Sequence, residues 1–118
     1  MFIAALLLFL LMHHSSPVLA ADDELRLAYE ENAREAIANS DFEAARDFAQ
    51  QAIDTLDNPD NIKSWDAQSL LADAYEGLGQ KEEFLDQIKW LMKRAKNEQT
   101  KDLLTKRKQK FLRKYAPV

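Results

Sequence analysis

The chain contains no cysteine, so neither a disulfide nor a thiolate metal ligand nor a lipid-modified cysteine contributes to whatever it does. Histidine is almost as scarce: the two present, His13 and His14, sit side by side in an apolar leader. Once that leader is set aside, the remaining chain has neither His nor Cys, which removes the common transition-metal sites and the usual general base. A glycine-rich phosphate loop and a serine nucleophile motif are also missing. No catalytic residue, cofactor or metal site is therefore expected, and the chain is not read as an enzyme. The carboxylates Glu82, Glu83 and Asp86 are read as an acidic helix start rather than a divalent-ion site. Strand-type alternation of apolar and polar residues is lacking throughout, which leaves an all-α fold class.

There is one long apolar run, from Phe2 to Met12. As a helix, eleven residues reach only about 16 Å, roughly half the hydrocarbon thickness of a bilayer. The run is followed by Pro17 and by small residues at Val18 and Ala20, the pattern of a cleaved secretory signal. No Lys or Arg precedes it, so an uncleaved anchor stays open beside cleavage after Ala20. The expected organisation is a signal peptide over 1–20 and one helical domain over 21–118, periplasmic or secreted. Such a domain has a thin core, held by helix packing alone.

Charge is unevenly spread. From Asp22 to Asp60 there are 12 acidic and 3 basic residues, whereas Lys93 to Val118 holds 10 basic and 2 acidic ones. That asymmetry points to a charged partner, or to two ends of the molecule that attract each other.

The two glycines and three prolines fall in or beside short polar breaks, and the helical segments lie between those breaks. Leu25, Tyr29, Ala33, Ala36 and Ile37 recur at helical spacing and stop at Asn39-Ser40. Asp41 is placed to cap a second helix carrying Phe42, Ala45, Phe48, Ala49, Ala52, Ile53 and Leu56. The cluster Asp57-Asn58-Pro59-Asp60-Asn61 is a turn, after which Asp60 or Ser64 is expected to cap a third helix with Ala67, Leu71, Ala74, Tyr75 and Leu78 inward. Gly79 follows it, and a fourth helix presents Phe84, Ile88, Leu91, Met92 and Ala95. The break before a fifth helix rests on Lys96-Asn97-Glu98 with a cap expected at Thr100. That helix offers Leu103, Leu104, Phe111, Leu112 and Tyr115, interrupted by Arg107 and Lys108.

Two stretches of this pattern repeat at an offset of 39 residues: Ala33-x-x-Ala36 and Asn39-Ser40-Asp41-Phe42-Glu43-x-Ala45 correspond to Ala72-x-x-Tyr75 and Leu78-Gly79-Gln80-Lys81-Glu82-x-Phe84. They resemble the tetratricopeptide repeat, a helix–turn–helix unit of about 34 residues. Ala72, Tyr75 and Gly79 fall on that family's small, aromatic and turn-glycine positions, and Ala33, Phe42, Ala45 and Ala52 on its small and aromatic positions. Asn32, Ser40 and Phe84 depart from its usual Leu, Gly and Ala. The resemblance implies two stacked antiparallel hairpins, over about 26–59 and 65–96, with a capping helix near 100–115. A closed bundle of four or five helices is the alternative.

The resemblance also implies that the first helix of each unit lines a concave groove. By position, the groove would present Glu30 and Arg34, then Asp66, Ser69, Asp73 and Glu76. Such an acidic surface would attract a basic or extended protein segment. Read as solvated helix faces, the same residues need no ligand. Trp90 lies off the apolar stripe of the fourth helix, as a contact of the fifth helix or as an exposed aromatic anchor. Lys106, Arg107, Lys108, Lys110, Arg113 and Lys114 form a basic surface. Behind an export signal, anionic lipid or an acidic envelope polymer is more accessible to it than nucleic acid. Apolar ends left by only two repeats suggest a homodimer. The function expected is that of an exported adaptor or scaffold in the cell envelope, with envelope-surface binding through the last helix as the alternative.

Overall fold

The computed structural model describes residues 21–115, and these form five α-helices and no strand. The expected signal peptide over 1–20 lies outside the described residues. In chain order the helices are α1 (Ala21–Ala38), α2 (Phe42–Asp54), α3 (Trp65–Leu78), α4 (Lys81–Arg94) and α5 (Glu98–Lys114), with a single 3₁₀ turn at Ile62–Ser64 before α3. Consecutive helices pack antiparallel, and α1 also touches α3, so α3 is clasped between the hairpin α1–α2 and α4. The all-α class, the two stacked hairpins and the C-terminal helix are those read from the sequence.

Both hairpin turns are built alike. At the end of α1, Ser40 adopts a left-handed φ of 58°, and the Asp41 N–H donates to Ala36 O over 2.8 Å. At the end of α3, Gly79 has φ 67° and the Gln80 N–H donates to Tyr75 O over 3.0 Å. These are the same capping motif, displaced by the repeat offset. Asp41 then caps α2, its Oδ1 accepting from Ala44 N, as its position suggested.

Two other helix starts differ from expectation. The Ser64 hydroxyl donates to Pro59 O and Asn61 O, both at 2.8 Å, and so fastens the connecting loop instead of capping α3. Asn97, not Thr100, caps α5: its Oδ1 accepts from the Thr100 N–H at 2.8 Å, which places the cap three residues earlier than expected. A side-chain acceptor three residues ahead of an orphan N–H is what a cap needs, and Thr100 lies one turn too late.

Packing grades along the stack. Ala33, Ala49, Ala52 and Ala67 are fully buried with Ile53 and Leu71 where α1, α2 and α3 meet, and Ala36, Ala45 and Ala74 form a neighbouring cluster. These small side chains let three helices approach closely. Toward the C-terminus the core becomes larger and aromatic: Phe84, Ile88 and Leu91 of α4 close on Leu104 and Phe111 of α5. Phe84 and Phe111 stack with ring centroids 4.1 Å apart. Each such ring, fully buried, contributes about 1.5–3 kcal/mol, so α5 is held by a few large residues and not by an extended apolar face.

Candidate functional site

The residues read as an acidic groove do not form one open surface. Glu30 is fully buried, its Oε2 accepting from Arg26 Nη1 at 2.7 Å, while Arg34 approaches its other oxygen at 3.8 Å. It lies one and two turns from Ala33 and Ile37, on the face that α1 turns toward its neighbours, and Arg26, one turn earlier, covers it. Arg34 and Asp66 are exposed and Ser69 is half-buried.

Asp73 and Glu76 are already engaged. Arg107 of α5 reaches back to α3, where Nη2 contacts Asp73 Oδ1 and lies 2.9 Å from Glu76 Oε1, with Nε donating to the same Glu76 oxygen at 3.2 Å. The guanidinium also lies over the Phe84 ring, 5.4 Å from its centroid. Burial raises the Asp73 carboxyl above its ordinary range and outweighs the opposing pull of Arg107. The sequence placed Arg107 on a basic surface and the two acids in a groove; the fold joins them in one clasp. The signal was present in the sequence. Arg107 interrupts the apolar stripe of the last helix, and an interruption in a covering helix opposite an i, i+3 acidic pair is a bridge waiting to form.

Trp90 is half-buried rather than exposed. Its Nε1–H donates to Asp60 Oδ1 at 3.0 Å, its ring lies 6.3 Å from that of Trp65, and Arg94 covers it at 4.3 Å while pairing with Asp60 at 3.1 Å. This brace ties α4 to the loop between the hairpins. The rest of the basic surface is open: Lys106, Lys108, Lys110 and Arg113 are exposed and have no ion-pair partner among the described residues.

An accessible cleft of about 510 Å³ opens where the starts of α1, α3 and α5 converge. Its apolar part comes from Leu27, Trp65 and Ile62, of which Ile62 is 52% exposed. Its rim carries Arg26, Lys63, Lys96 and a single acid, Asp66. Arg26 is partly neutralised by Asp23 and Glu30, and Lys63 lies 3.7 Å from Asp23, whereas Lys96 has no ion-pair partner among the described residues. Of the six groove residues read from the sequence, only Asp66 lines this cleft. Ile62 was missed because a lone aliphatic residue in a polar turn carries no periodic signal. No group of three or more His, Cys, Asp or Glu among the described residues is arranged to hold a metal ion. Nor is any described helix long and apolar enough to cross a membrane.

Comparison with protein-family models, curated proteins and solved structures finds no match for the chain.

Proposed function

We propose that the chain is a non-catalytic protein-interaction module, a tetratricopeptide-like adaptor that receives a segment of another protein in the cleft between the starts of α1, α3 and α5. The observation that carries the reading is the apolar lining of that cleft, where Leu27 and Ile62 are exposed beside the half-buried Trp65, since apolar side chains in a concave site contribute most to peptide affinity. Lys96, the rim cation without an ion-pair partner among the described residues, favours an occupant with a carboxylate beside its apolar residues, in place of the basic segment that the sequence suggested. The leader Phe2–Met12 with Val18 and Ala20 supports export and hence an envelope partner.

The test is selection from a random-peptide library on the purified protein, with Ile62→Glu as counter-selector. Selected peptides are expected to bind the parent protein at least tenfold more tightly than the variant. If no selected peptide discriminates between them, the cleft is not the recognition site.

A second reading, binding of anionic lipid surfaces through α5, is favoured by the unpaired cations Lys106, Lys108, Lys110 and Arg113. Co-sedimentation with phosphatidylglycerol vesicles checks it, and the absence of binding at low salt rejects it.

A further inference from the structure

The two ends of the stack are chemically opposite. At the N-terminal end a shallow cleft of about 470 Å³ lies between the first turns of α1 and the end of α2. Leu25 and Tyr29 form its apolar side, with Leu25 48% exposed, and Asp54 and Asp57 form its acidic side. Neither aspartate has an ion-pair partner among the described residues; Asp54 accepts only from the Gln50 amide. At the C-terminal end the outer face of α5 carries Leu103, 68% exposed, followed on the same helical face by Lys106 and Lys110. Lys110 stands about 10 Å along the helix from Leu103, since each residue advances about 1.5 Å. One end therefore offers an apolar recess with two carboxylates, and the other an aliphatic knob with two ammonium groups.

We propose that copies of this chain associate head to tail, with Leu103 of one copy seated against Leu25 and Tyr29 of the next, and with Lys106 and Lys110 facing Asp54 and Asp57. Charge decides the mode. Pairing two α5 faces would bring lysines against lysines, and pairing two N-terminal ends would bring aspartates against aspartates, so a closed two-fold dimer is opposed on either face. The complementary contact joins different surfaces, and a heterologous contact that does not close builds an open series. The apolar residues concerned lie at the ends of the stack, where a helical repeat array has no further unit to cover it. The residues of this contact are not among those that line the cleft at Ile62, so a series would carry one such cleft per copy and turn a weak single site into a multivalent one. This proposal uses surfaces separate from that cleft, so the two readings stand or fall independently.

Sedimentation velocity on the protein purified after expression of the full chain tests the idea. In low salt the weight-average mass is expected to climb with protein concentration without a plateau at the dimer. Because the facing charges are solvent-exposed, the mass should fall back toward the monomer in half-molar salt. The double variants Asp54→Lys/Asp57→Lys and Lys106→Glu/Lys110→Glu should each lose self-association by tenfold or more. Mixed in equal amounts they should regain it, because each reversed end then meets an oppositely charged one. Circular dichroism confirms that both variants keep the helical fold. A monomer at all concentrations in low salt overturns the proposal. So does a plateau at twice the monomer mass, or a mixture of the two variants that fails to associate.

Discussion

Arg107 links three elements through one side chain, and one of its partners, Asp73, makes stability depend on pH. Because burial holds the Asp73 carboxyl above its ordinary value, the folded protein takes up that proton more readily than the unfolded chain. Asp73 thus contributes stability that is present below the ordinary aspartate range and is lost as pH rises through its elevated value. Asp73→Asn removes this dependence, so its stability relative to the parent protein is expected to increase from pH 3 to pH 7. Urea denaturation at intervals across that range measures the difference, and a flat difference would mean that the carboxylate is fully compensated in the fold. Arg107→Gln should act in the other direction. It leaves Asp73 and Glu76 facing each other without their cation, and the loss grows as pH rises and the Asp73 carboxyl gives up its proton. With Arg107 about one-quarter exposed and both carboxylates more than one-third exposed, solvent screening limits that loss to about 1 kcal/mol.

At the scale of elements, the hairpin turns and the helix crossing beside them set the stack. Ser40 holds the same left-handed conformation as Gly79, although a side chain there costs about 1–2 kcal/mol. Ser40→Gly relieves that strain but gives the unfolded chain more freedom, by about 0.4–1 kcal/mol. The expected net gain is about 0.5 kcal/mol, read as a higher urea midpoint with an unchanged slope. Gly77 matters for a different reason. A Cβ on it would collide with the Phe42 ring, because α2 begins directly over the backbone of α3. Gly77→Ala is therefore expected to destabilise by about 1–3 kcal/mol through displacement of that ring, and a calorimetric melt unchanged from the parent would show that Phe42 moves freely.

Those turns also show what was legible in the sequence and what was not. The 39-residue offset, the Asp41 cap, the alanine face of α2 and the all-α class follow from local periodicity and capping chemistry, which one stretch of chain determines by itself. The site does not follow in the same way. Glu30 becomes buried only once α1 lies on its neighbours, and Arg107 meets Asp73 across 34 residues of chain. The Ile62 cleft exists only where three helix starts converge. Surface charge looks alike in sequence whether it is solvated, buried in a pair or spent in a clasp, so the acidic groove was legible as composition and not as geometry. Helix α3 carries the same lesson. Its buried residues are Ala67, Gln68, Leu70, Leu71, Ala72 and Ala74, wider than one stripe, because it is packed from more than one side.

For the whole molecule, stability should grade along the stack, because each helix packs mainly on its neighbours. α3 is enclosed by α1, α2 and α4 and should hold the slowest-exchanging amides. α5 rests on α4 through Phe111 and Leu104 and is tied to α3 by the Arg107 clasp, and should open at lower free energy. Phe111→Ala removes the stack on Phe84 and leaves a cavity, a change that costs about 3–5 kcal/mol for a buried Phe. If that energy serves only to hold α5, the variant should exchange α5 amides at least tenfold faster, with α1–α3 unaltered, in hydrogen-exchange mass spectrometry. The released helix would carry Arg107 away from Asp73 and Glu76 and open the second hairpin's acidic face to solvent. Equal acceleration in every helix would instead make the chain one cooperative unit, in which the C-terminal helix is as integral to folding as α3 itself.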